Sequence, residues 1–344
     1  MRQKWIALAV IFCLALGLTA CSPSEGDAPV SAKTQYGCQP QSVLSGFDNS
    51  YAIAPEGIDR VFYKNISTGA LMRADRAFKN AEQLSGGEIV GLGYEDDALF
   101  YARVVTQEDE TTRSELVRAD ARGDNPEIIL STARTIRQML IVNRLIYFVS
   151  YDEDACELWR CNLKGQSQTT VAGGDYYVGD FTLNHDTVYF NMVWAEEVGD
   201  YTTYRCGISG DGITATGFRR GGSFFFAGEE LYSAVPYGED QFLLEILDRQ
   251  EDTDEPYLTE AGGSMVSAFW FTDQYLYFAL PGSRNLNRLD LETRSVEELY
   301  AEPEGETCFT GMVVAGGRLM LCDSQGGQYT AEIGQKNMML NSLG

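Results

Sequence analysis

The sequence predicts an all-β fold, a β-propeller of four-stranded antiparallel blades, and three observations predict it. An apolar and aromatic motif recurs along the chain, hairpin-forming residues precede its copies, and no helical apolar periodicity of useful length follows residue 35. Seven copies predict seven blades, and six and eight are the alternatives because the first and last copies are the least regular. A closed ring of sheets leaves no long edge strand, which favours a propeller over an open sandwich.

The recurring motif is one apolar residue followed by two residues that are mostly aromatic. Its copies lie at residues 61–63, 99–101, 146–148, 188–190, 231–233, 276–278 and, in degenerate form, 319–321. Their third positions are 38, 47, 42, 43, 45 and 43 residues apart. A spacing of about 43 residues is typical of one four-stranded propeller blade. Each copy of the motif therefore predicts a central strand of one blade.

A second motif, Leu-x-Arg or a close variant, follows five of these strands. Because side chains alternate along a strand, Arg73 shares a face with Asp75, Arg118 with Asp120 and Arg288 with Asp290. We therefore interpret these arginines as structural ion-pair partners. The residues between must point into the blade, and all are apolar: Ala74, Ala119, Cys161, Cys206 and Leu289.

The position of Cys161 and Cys206 in the repeat predicts whether they form disulfides. Cys161 and Cys206 occupy equivalent positions in successive blades, too far apart to bridge, so we expect buried free thiols. A bridge from Cys38 to Cys308 or Cys322 is an alternative that the sequence leaves open.

Turn-forming residues punctuate the repeat at two places. Before the aromatic strands come residues suited to tight hairpins: Asp96 and Asp97, Asn143 and Arg144, His185 and Asp186, Gly316 and Gly317. After the arginine strands come Gly123, Gly165 and Gly210, which predict a second set of hairpins. A single helical turn within residues 76–83 is the exception that we allow.

The N-terminus carries a bacterial lipobox. Arg2 and Lys4 precede an apolar run at residues 5–18, and Leu18, Thr19 and Ala20 lead to Cys21. The run is too short for a bilayer-spanning helix, which needs roughly 18 residues or more. We predict that residues 1–20 are a removable signal peptide and that Cys21 becomes a lipidated N-terminus on the extracytoplasmic side of a cell membrane.

The remainder divides into a tether and a single domain. Residues 21–35 are rich in Ser, Pro, Gly and Ala and predict a flexible tether, and residues 36–344 predict one propeller domain. The chain has a formal charge of −24, and removal of residues 1–20 takes away two bases and no acids, which leaves −26. Such a charge opposes nucleic acid and anionic lipid headgroups, so attachment to the membrane must come from the lipid.

The repeat resembles a known family. The "IYF" strand and the segments "LWRCNLKGQSQTTV" and "LVRADARGDNPEII" resemble the low-density-lipoprotein-receptor-like β-propeller domain of unknown function found in many bacterial lipoproteins. The resemblance spans roughly residues 55 to 300. It implies the propeller fold and carries no catalytic residues over to this chain.

Candidate catalytic residues are few. His185 is the only histidine, and its place in a hairpin turn argues against a Ser-His-Asp site or a histidine zinc cluster. No nucleophile elbow or P-loop motif is present. We expect no enzymatic activity and no cofactor, with a glycan hydrolase or lyase using channel-mouth carboxylates as the alternative.

Acidic residues gather in loops that a propeller would place on one face. The candidate binding residues are Glu88, Glu108, Asp109, Asp152, Asp154, Asp175, Tyr176, Glu196, Glu197 and Glu306. They indicate a surface for a cationic partner, such as a protein, a peptide or an envelope polymer, or for calcium. The alternatives are solubilising charge and, from a single short resemblance at residues 67–71, an envelope-assembly scaffold.

Overall fold

A computed structural model describes residues 52–343 with gaps at 185, 194–201, 217–222, 228–229, 238–240, 247–256, 259–267, 273, 280–283, 303–306 and 335. Blade 1 contains β1 (Ala52–Ile53), β2 (Val61–Lys64), β3 (Leu71–Ala74) and β4 (Glu82–Ser85). Blade 2 contains β5 (Glu88–Glu95), β6 (Ala98–Thr106), β7 (Thr112–Asp120) and β8 (Glu127–Thr132). Blade 3 contains β9 (Thr135–Val142), β10 (Leu145–Tyr151), β11 (Cys156–Asn162) and β12 (Thr169–Ala172).

The remaining blades repeat this order. Blade 4 contains β13 (Tyr177–Asn184), β14 (Thr187–Val193), β15 (Thr202–Gly207) and β16 (Thr214–Ala215). Blade 5 contains β17 (Ser223–Ala227), β18 (Glu230–Tyr237), β19 (Gln241–Ile246) and β20 (Tyr257–Leu258). Blade 6 contains β21 (Ala268–Phe271), β22 (Tyr275–Ala279), β23 (Leu286–Asp290) and β24 (Val296–Tyr300). Blade 7 contains β25 (Phe309–Ala315), β26 (Arg318–Asp323), β27 (Gln328–Glu332) and β28 (Asn341–Ser342).

The described strands form seven four-stranded sheets, each an antiparallel meander of consecutive strands. The first strands of successive sheets contact one another around a ring, and β25 contacts β1 to complete it. The predicted propeller of seven blades is therefore confirmed. No described sheet exchanges a strand with another, so among the described residues side-chain contacts, and not strand pairing, join the first blade to the last.

The aromatic motif lies on the second strand of each blade. Where side chains are described, every residue of the motif is at most 8% exposed, including Phe62, Phe100, Tyr147 and Phe190. Residues at alternate positions pack against opposite neighbouring blades, so the clusters that they form run from blade to blade around the ring. This burial is why the motif recurs with the period of the blade.

The Leu-x-Arg motif lies on third strands, and the residues predicted to be buried between Arg and Asp are buried. Ala74, Ala119, Cys161, Cys206 and Leu289 are 3% exposed or less. Five described cysteines are free thiols, among them Cys161 and Cys206. Cys38, the proposed partner of Cys308 or Cys322, lies outside the described residues.

Two of the motif arginines, Arg73 and Arg288, form ion pairs, but not with the aspartate two positions along. Arg73 binds Glu82 at 2.7 Å and Asp124 of the next blade at 3.0 Å, and Arg288 binds Glu297 at 2.5 Å. These partners lie on the fourth strand or in the neighbouring turn. The sequence pattern therefore predicted the type of interaction and missed its partners, which only pairing and blade contact bring close.

The aspartates instead hold the turns that follow the third strands. Asp75 Oδ1 accepts hydrogen bonds from the backbone N–H groups of Ala77 and Lys79, and Asp120 and Asp290 do the same in blades 2 and 6. The Lys79 N–H bond lowers the pKa of Asp75 most strongly. The allowed helical turn at residues 76–83 is thus a tight turn leading into β4.

Both predicted sets of hairpins are present where they are described. Asp96, Asp97, Asn143 and Arg144 all have φ between 50° and 60°, as tight hairpin turns between twisted strands require. In the other set, Gly165 has φ +71°, and a Cβ atom there would lie 2.1 Å from the carbonyl oxygen of Ile129 in the preceding blade. Glycine at this turn therefore lets adjacent blades approach closely.

Two buried glutamines join blades through hydrogen bonds to backbone groups. Gln328 Nε2 donates to the Lys64 carbonyl at 2.9 Å, and its Oε1 accepts from the Ile66 N–H at 3.0 Å, which links blade 7 to blade 1. Gln138 binds the N–H and the carbonyl of Phe181 in the same way, between blades 3 and 4. Each side-chain amide thus makes two hydrogen bonds to the backbone of the neighbouring blade, where no strand pairs across the boundary.

Candidate binding face

Successive antiparallel strands place the turns of each blade on two opposite sides of the ring. Turns between second and third strands and linkers between blades lie on one side, which we call the upper face. Its described segments include residues 86–87, 107–111, 152–155 and 173–176. Turns between first and second strands and between third and fourth strands lie on the other side, the lower face. The acidic candidates that are described lie on the upper face, as the sequence predicted.

Ion pairs hold four basic side chains of the upper face. Lys64 Nζ binds Glu88 at 2.9 Å, and Arg103 binds Glu115 at 2.7 Å. Arg134 contacts Asp152 at 3.2 Å and Glu157 at 2.5 Å. Arg284 binds Glu302 at 2.8 Å and Asp323 at 2.5 Å. These cations lie between strands or blades, where they neutralise carboxylates instead of extending into solvent.

The glutamates in two of these pairs occupy equivalent positions in the repeat. Glu115 and Glu157 each precede the leucine of a Leu-x-Arg motif at the upper end of a third strand. Their arginine partners come from different strands: Arg103 lies on β6, whereas Arg134 precedes β9. Equivalent glutamates in the two blades therefore form ion pairs with arginines from different segments of the chain.

Four acids of the upper face, Glu108, Glu110, Glu153 and Asp154, are exposed and form no ion pair with another described residue. We call these four the unpaired acids. They lie in the turns of two adjacent blades. Within four residues of these two turns, Arg113 is the one described base outside an ion pair, so the four carboxylates outnumber the free bases and the local charge is negative.

Two predicted binding residues in these turns have a structural task as well. Asp109 accepts hydrogen bonds from the hydroxyl of Thr111 at 2.6 Å and from its N–H at 3.1 Å. Asp152 accepts hydrogen bonds from the N–H groups of Asp154 and Ala155. These bonds lower the pKa of both carboxyl groups and keep them ionised. Each carboxylate fixes the turn that presents the unpaired acids.

The other predicted residues lie at the starts of inner strands or outside the described chain. Glu88 begins β5 and is bound by Lys64, and Asp175 is exposed in the linker before β13. Tyr176 is half-buried, with its ring stacked on Phe190 at 6.4 Å between centroids, and burial raises its pKa. Three predicted acids, Glu196, Glu197 and Glu306, and His185 lie outside the described residues.

The cluster around Arg284 was not predicted from the sequence. Its guanidinium lies 4.8 Å from the Tyr329 ring centroid and 5.9 Å from that of Phe309, in addition to its two carboxylate partners. Tyr329 donates a hydrogen bond to Asp323 at 3.0 Å. These residues come from blades 6 and 7, so no local sequence pattern identifies them as one group.

This cluster predicts acid sensitivity. Burial alone would raise the pKa of Asp323, but hydrogen bonds from Gly327, Arg284 and Tyr329 outweigh burial and lower it. Asp323 therefore stabilises the fold above the pKa of an unfolded aspartate, about 3.9, and this contribution disappears as pH falls below that value. We expect the free energy of unfolding, measured by urea denaturation from pH 7 to pH 3, to fall more in the parent than in Asp323→Asn. Parallel curves would contradict this assignment.

The described residues contain no group of three or more His, Cys, Asp or Glu side chains arranged to hold a metal ion. Within the same residues, no helix is long and apolar enough to cross a membrane. The upper face presents negatively charged carboxylates on turns that hydrogen bonds hold in place. Because the nearby bases are engaged, a cation approaching these turns meets carboxylates with few competing partners.

Comparisons with known proteins agree on the fold. No protein-family model and no curated protein match the chain. The propeller domain of the Trilobed protease from Pyrococcus furiosus, described as having an open velcro topology, is similar with a TM-score of 0.53 at 15% identity, covering 91% of this chain and 97% of that one. The Swd1 propeller of Myceliophteria thermophila gives 0.57 at 10%, covering 85% and 98%.

A puromycin-hydrolyzing peptidase from Mycobacterium tuberculosis is also similar, with a TM-score of 0.56 at 13% identity, and this chain covers 52% of its length. The chain thus spans about half of that peptidase. At such identities the likeness shows the propeller fold alone. The resemblance to the low-density-lipoprotein-receptor-like family stays a prediction.

Proposed function

We propose that this chain is a lipid-anchored, extracytoplasmic binding protein whose upper face takes a cationic partner. One observation carries the proposal: the unpaired acids lie on rigid turns of adjacent blades while ion pairs engage the neighbouring bases. The lower face differs, because its turns present Arg122 and Lys164 outside any described ion pair alongside their acids. A surface of one sign attracts and orients a partner of the other sign.

The fold supports a binding role in a general way. Seven blades place many loops around one face, and their length and charge can vary without disturbing the buried strands. Propellers carry unrelated activities, so the fold does not identify the partner. The charge does restrict its chemistry: a lysine- or arginine-rich segment fits these turns, and a polyanion does not.

The test compares two variants with the same change in charge. The upper-face variant amidates the unpaired acids as Glu108→Gln, Glu110→Gln, Glu153→Gln and Asp154→Asn. The lower-face variant carries Asp97→Asn, Glu127→Gln, Asp211→Asn and Glu292→Gln, which are exposed acids on or beside lower-face turns. Asp109 and Asp152 stay unchanged in both because they hold their turns.

We expect a fluorescent lysine-rich peptide to bind the detergent-purified full chain and to lose affinity about tenfold for the upper-face variant, at about 0.3 kcal/mol for each exposed charge. The lower-face variant should bind as the parent does, and added salt should weaken binding in each case. Equal loss in both variants would show that net charge alone attracts the peptide. That result, or no binding by the parent, would contradict the proposal.

The lipid anchor is tested separately at Cys21. Cys21→Ala removes the thiol that receives the lipid, so the chain should no longer incorporate a fatty-acid label and should leave the detergent phase on phase separation. Cys13→Ala, within the predicted signal peptide, should behave as the parent does. A Cys21→Ala chain that is still processed and membrane-bound would exclude lipidation at this position.

A further inference from the structure

We propose that Phe78 is a latch that closes the ring between blades 7 and 1. Its side chain lies at this boundary in a backbone conformation that is unfavourable for phenylalanine. Without the side chain, this boundary opens while the other blade boundaries stay closed. This role is independent of the partner that the upper face binds.

The boundary between blades 7 and 1 differs from the others in its connectivity. Each blade is formed from four consecutive strands, so the peptide chain runs from each blade directly into the next. Blades 1 and 7 are the first and the last, and among the described residues no strand pairs between them. Side-chain contacts must therefore hold these two blades together.

Phe78 lies in the turn between β3 and β4 with φ +59°. The equivalent residues of blades 2, 3 and 4 are Gly123, Gly165 and Gly210, and in all four turns this residue donates its N–H to the carbonyl three positions earlier, at 2.8 or 2.9 Å. Among the described residues other than glycine, Phe78 is the only apolar one with a positive φ. A bulky residue in this conformation is strained, so its surroundings must hold it there.

The side chain of Phe78 is buried on the side of blade 1 that faces blade 7. It is 5% exposed, and its ring centroid lies 5.5 Å from that of Tyr63. Both residues belong to one apolar cluster with residues of blades 6 and 7, whereas Phe62, on the other face of β2, belongs to a cluster with residues of blade 2. Arg76 of the same turn lies against Gly316 of blade 7, where an added Cβ atom would be 3.4 Å from Arg76 Cδ. The turn therefore packs against blade 7, and the phenylalanine ring is part of that packing.

In blades 3 and 4 the equivalent turn approaches the preceding blade too closely for any side chain. A Cβ atom at Gly165 would lie 2.1 Å from the Ile129 carbonyl oxygen, and one at Gly210 would lie 2.4 Å from that of Val171. Ile129 and Val171 belong to fourth strands of six and four residues, whereas β28, the fourth strand of blade 7, has two. The ring of Phe78 therefore supplies at this boundary the contact that backbone supplies at the other two.

Two backbone N–H groups report separately on this boundary and on another one. The Ile66 N–H donates to Gln328 Oε1 at 3.0 Å between blades 1 and 7, and the Phe181 N–H donates to Gln138 Oε1 at 3.3 Å between blades 3 and 4. Ile66 follows the upper end of β2, whereas Phe78 lies in a lower-face turn, so a change at Ile66 reports on the whole boundary. Hydrogen exchange of both N–H groups is measured in the full chain as the parent and as Phe78→Gly, which removes the ring and still accepts the positive φ.

We expect the Ile66 N–H to exchange about tenfold faster in Phe78→Gly than in the parent, and exchange of the Phe181 N–H to change by less than about twofold. Phe78→Leu keeps part of the apolar side chain, so it should increase exchange at Ile66 by about threefold. Asn80→Gly is the matched control in the same turn, because Asn80 has φ +55°, is exposed and binds Asp75 within blade 1 at 3.0 Å. This control should change exchange at Ile66 by less than about twofold.

Three results would each overturn the role of Phe78 as a latch. Unchanged exchange at Ile66 in both Phe78→Gly and Phe78→Leu would show that the boundary stays closed without the ring. An equal increase at Ile66 and Phe181 would show a uniform loss of stability instead of opening at one boundary. An increase in Asn80→Gly as large as in Phe78→Gly would assign the effect to the turn and not to the phenylalanine ring.

Discussion

Replacing Gly165 with alanine is expected to lower the free energy of unfolding by about 3 kcal/mol, because two costs add at this position. Its φ of +71° is unfavourable for alanine, and the new methyl group would lie 2.1 Å from the Ile129 carbonyl oxygen. The obstacle is backbone of the preceding blade and cannot rotate away. Urea denaturation of the parent and Gly165→Ala measures the loss.

Gly212→Ala is the matched control. Gly212 has φ +68°, in a hairpin of the same type, but a Cβ atom there meets nothing within 4 Å. It should therefore lose only the conformational part, about 1 kcal/mol. Equal losses at the two positions would show that the close approach of blades 2 and 3 contributes nothing to the requirement for glycine.

Gln328→Ala is expected to produce a loss of similar size at the junction between the last and first blades. Gln328 is 7% exposed, and its removal leaves the Lys64 carbonyl and the Ile66 N–H without their partner. Loss of these two hydrogen bonds and of the packing of the buried side chain costs about 3 kcal/mol in total. We expect the loss in urea denaturation, together with faster hydrogen exchange of the Ile66 amide than of core amides in blade 3.

Gln325→Ala is the matched control, because it removes a glutamine side chain from the same blade without removing the hydrogen bonds of Gln328 to blade 1. Gln325 lies three residues earlier, its side chain is exposed, and only its backbone N–H binds Asp323. Its replacement should change stability by less than about 0.5 kcal/mol. If Gln328→Ala were equally mild, or if exchange at Ile66 did not change, packing rather than the glutamine would hold the ring closed.

The fold could be predicted from the sequence because each blade repeats the same local burial pattern. Second strands carry runs of apolar and aromatic residues, and tight turns need residues that accept positive φ, as at Asp96 and Asn143. Both requirements act over a few neighbouring residues and appear as periodicity. Blade number and strand order follow once the period is recognised.

Contacts between distant residues could not be predicted in the same way. Gln328 and Lys64 are 264 positions apart, and Arg284 and Asp323 belong to different blades. The candidate face shows the same limit. The sequence predicts that Asp109 and Asp152 lie on an acidic face, but only backbone geometry shows that they hold turns while Glu108, Glu110 and Glu153 stand unpaired.

The most direct measurement of the central claim is photocrosslinking from the upper face in the native membrane. The full chain carries p-benzoylphenylalanine in place of Tyr151, and the crosslinked peptide is identified by mass spectrometry. The same group in place of Ile213 controls for the lower face. The account predicts crosslinks from position 151 to a lysine- or arginine-rich segment of another protein, lost when the unpaired acids are amidated. Crosslinks only to lipid or to neutral or acidic segments, or identical products from both positions, would contradict it.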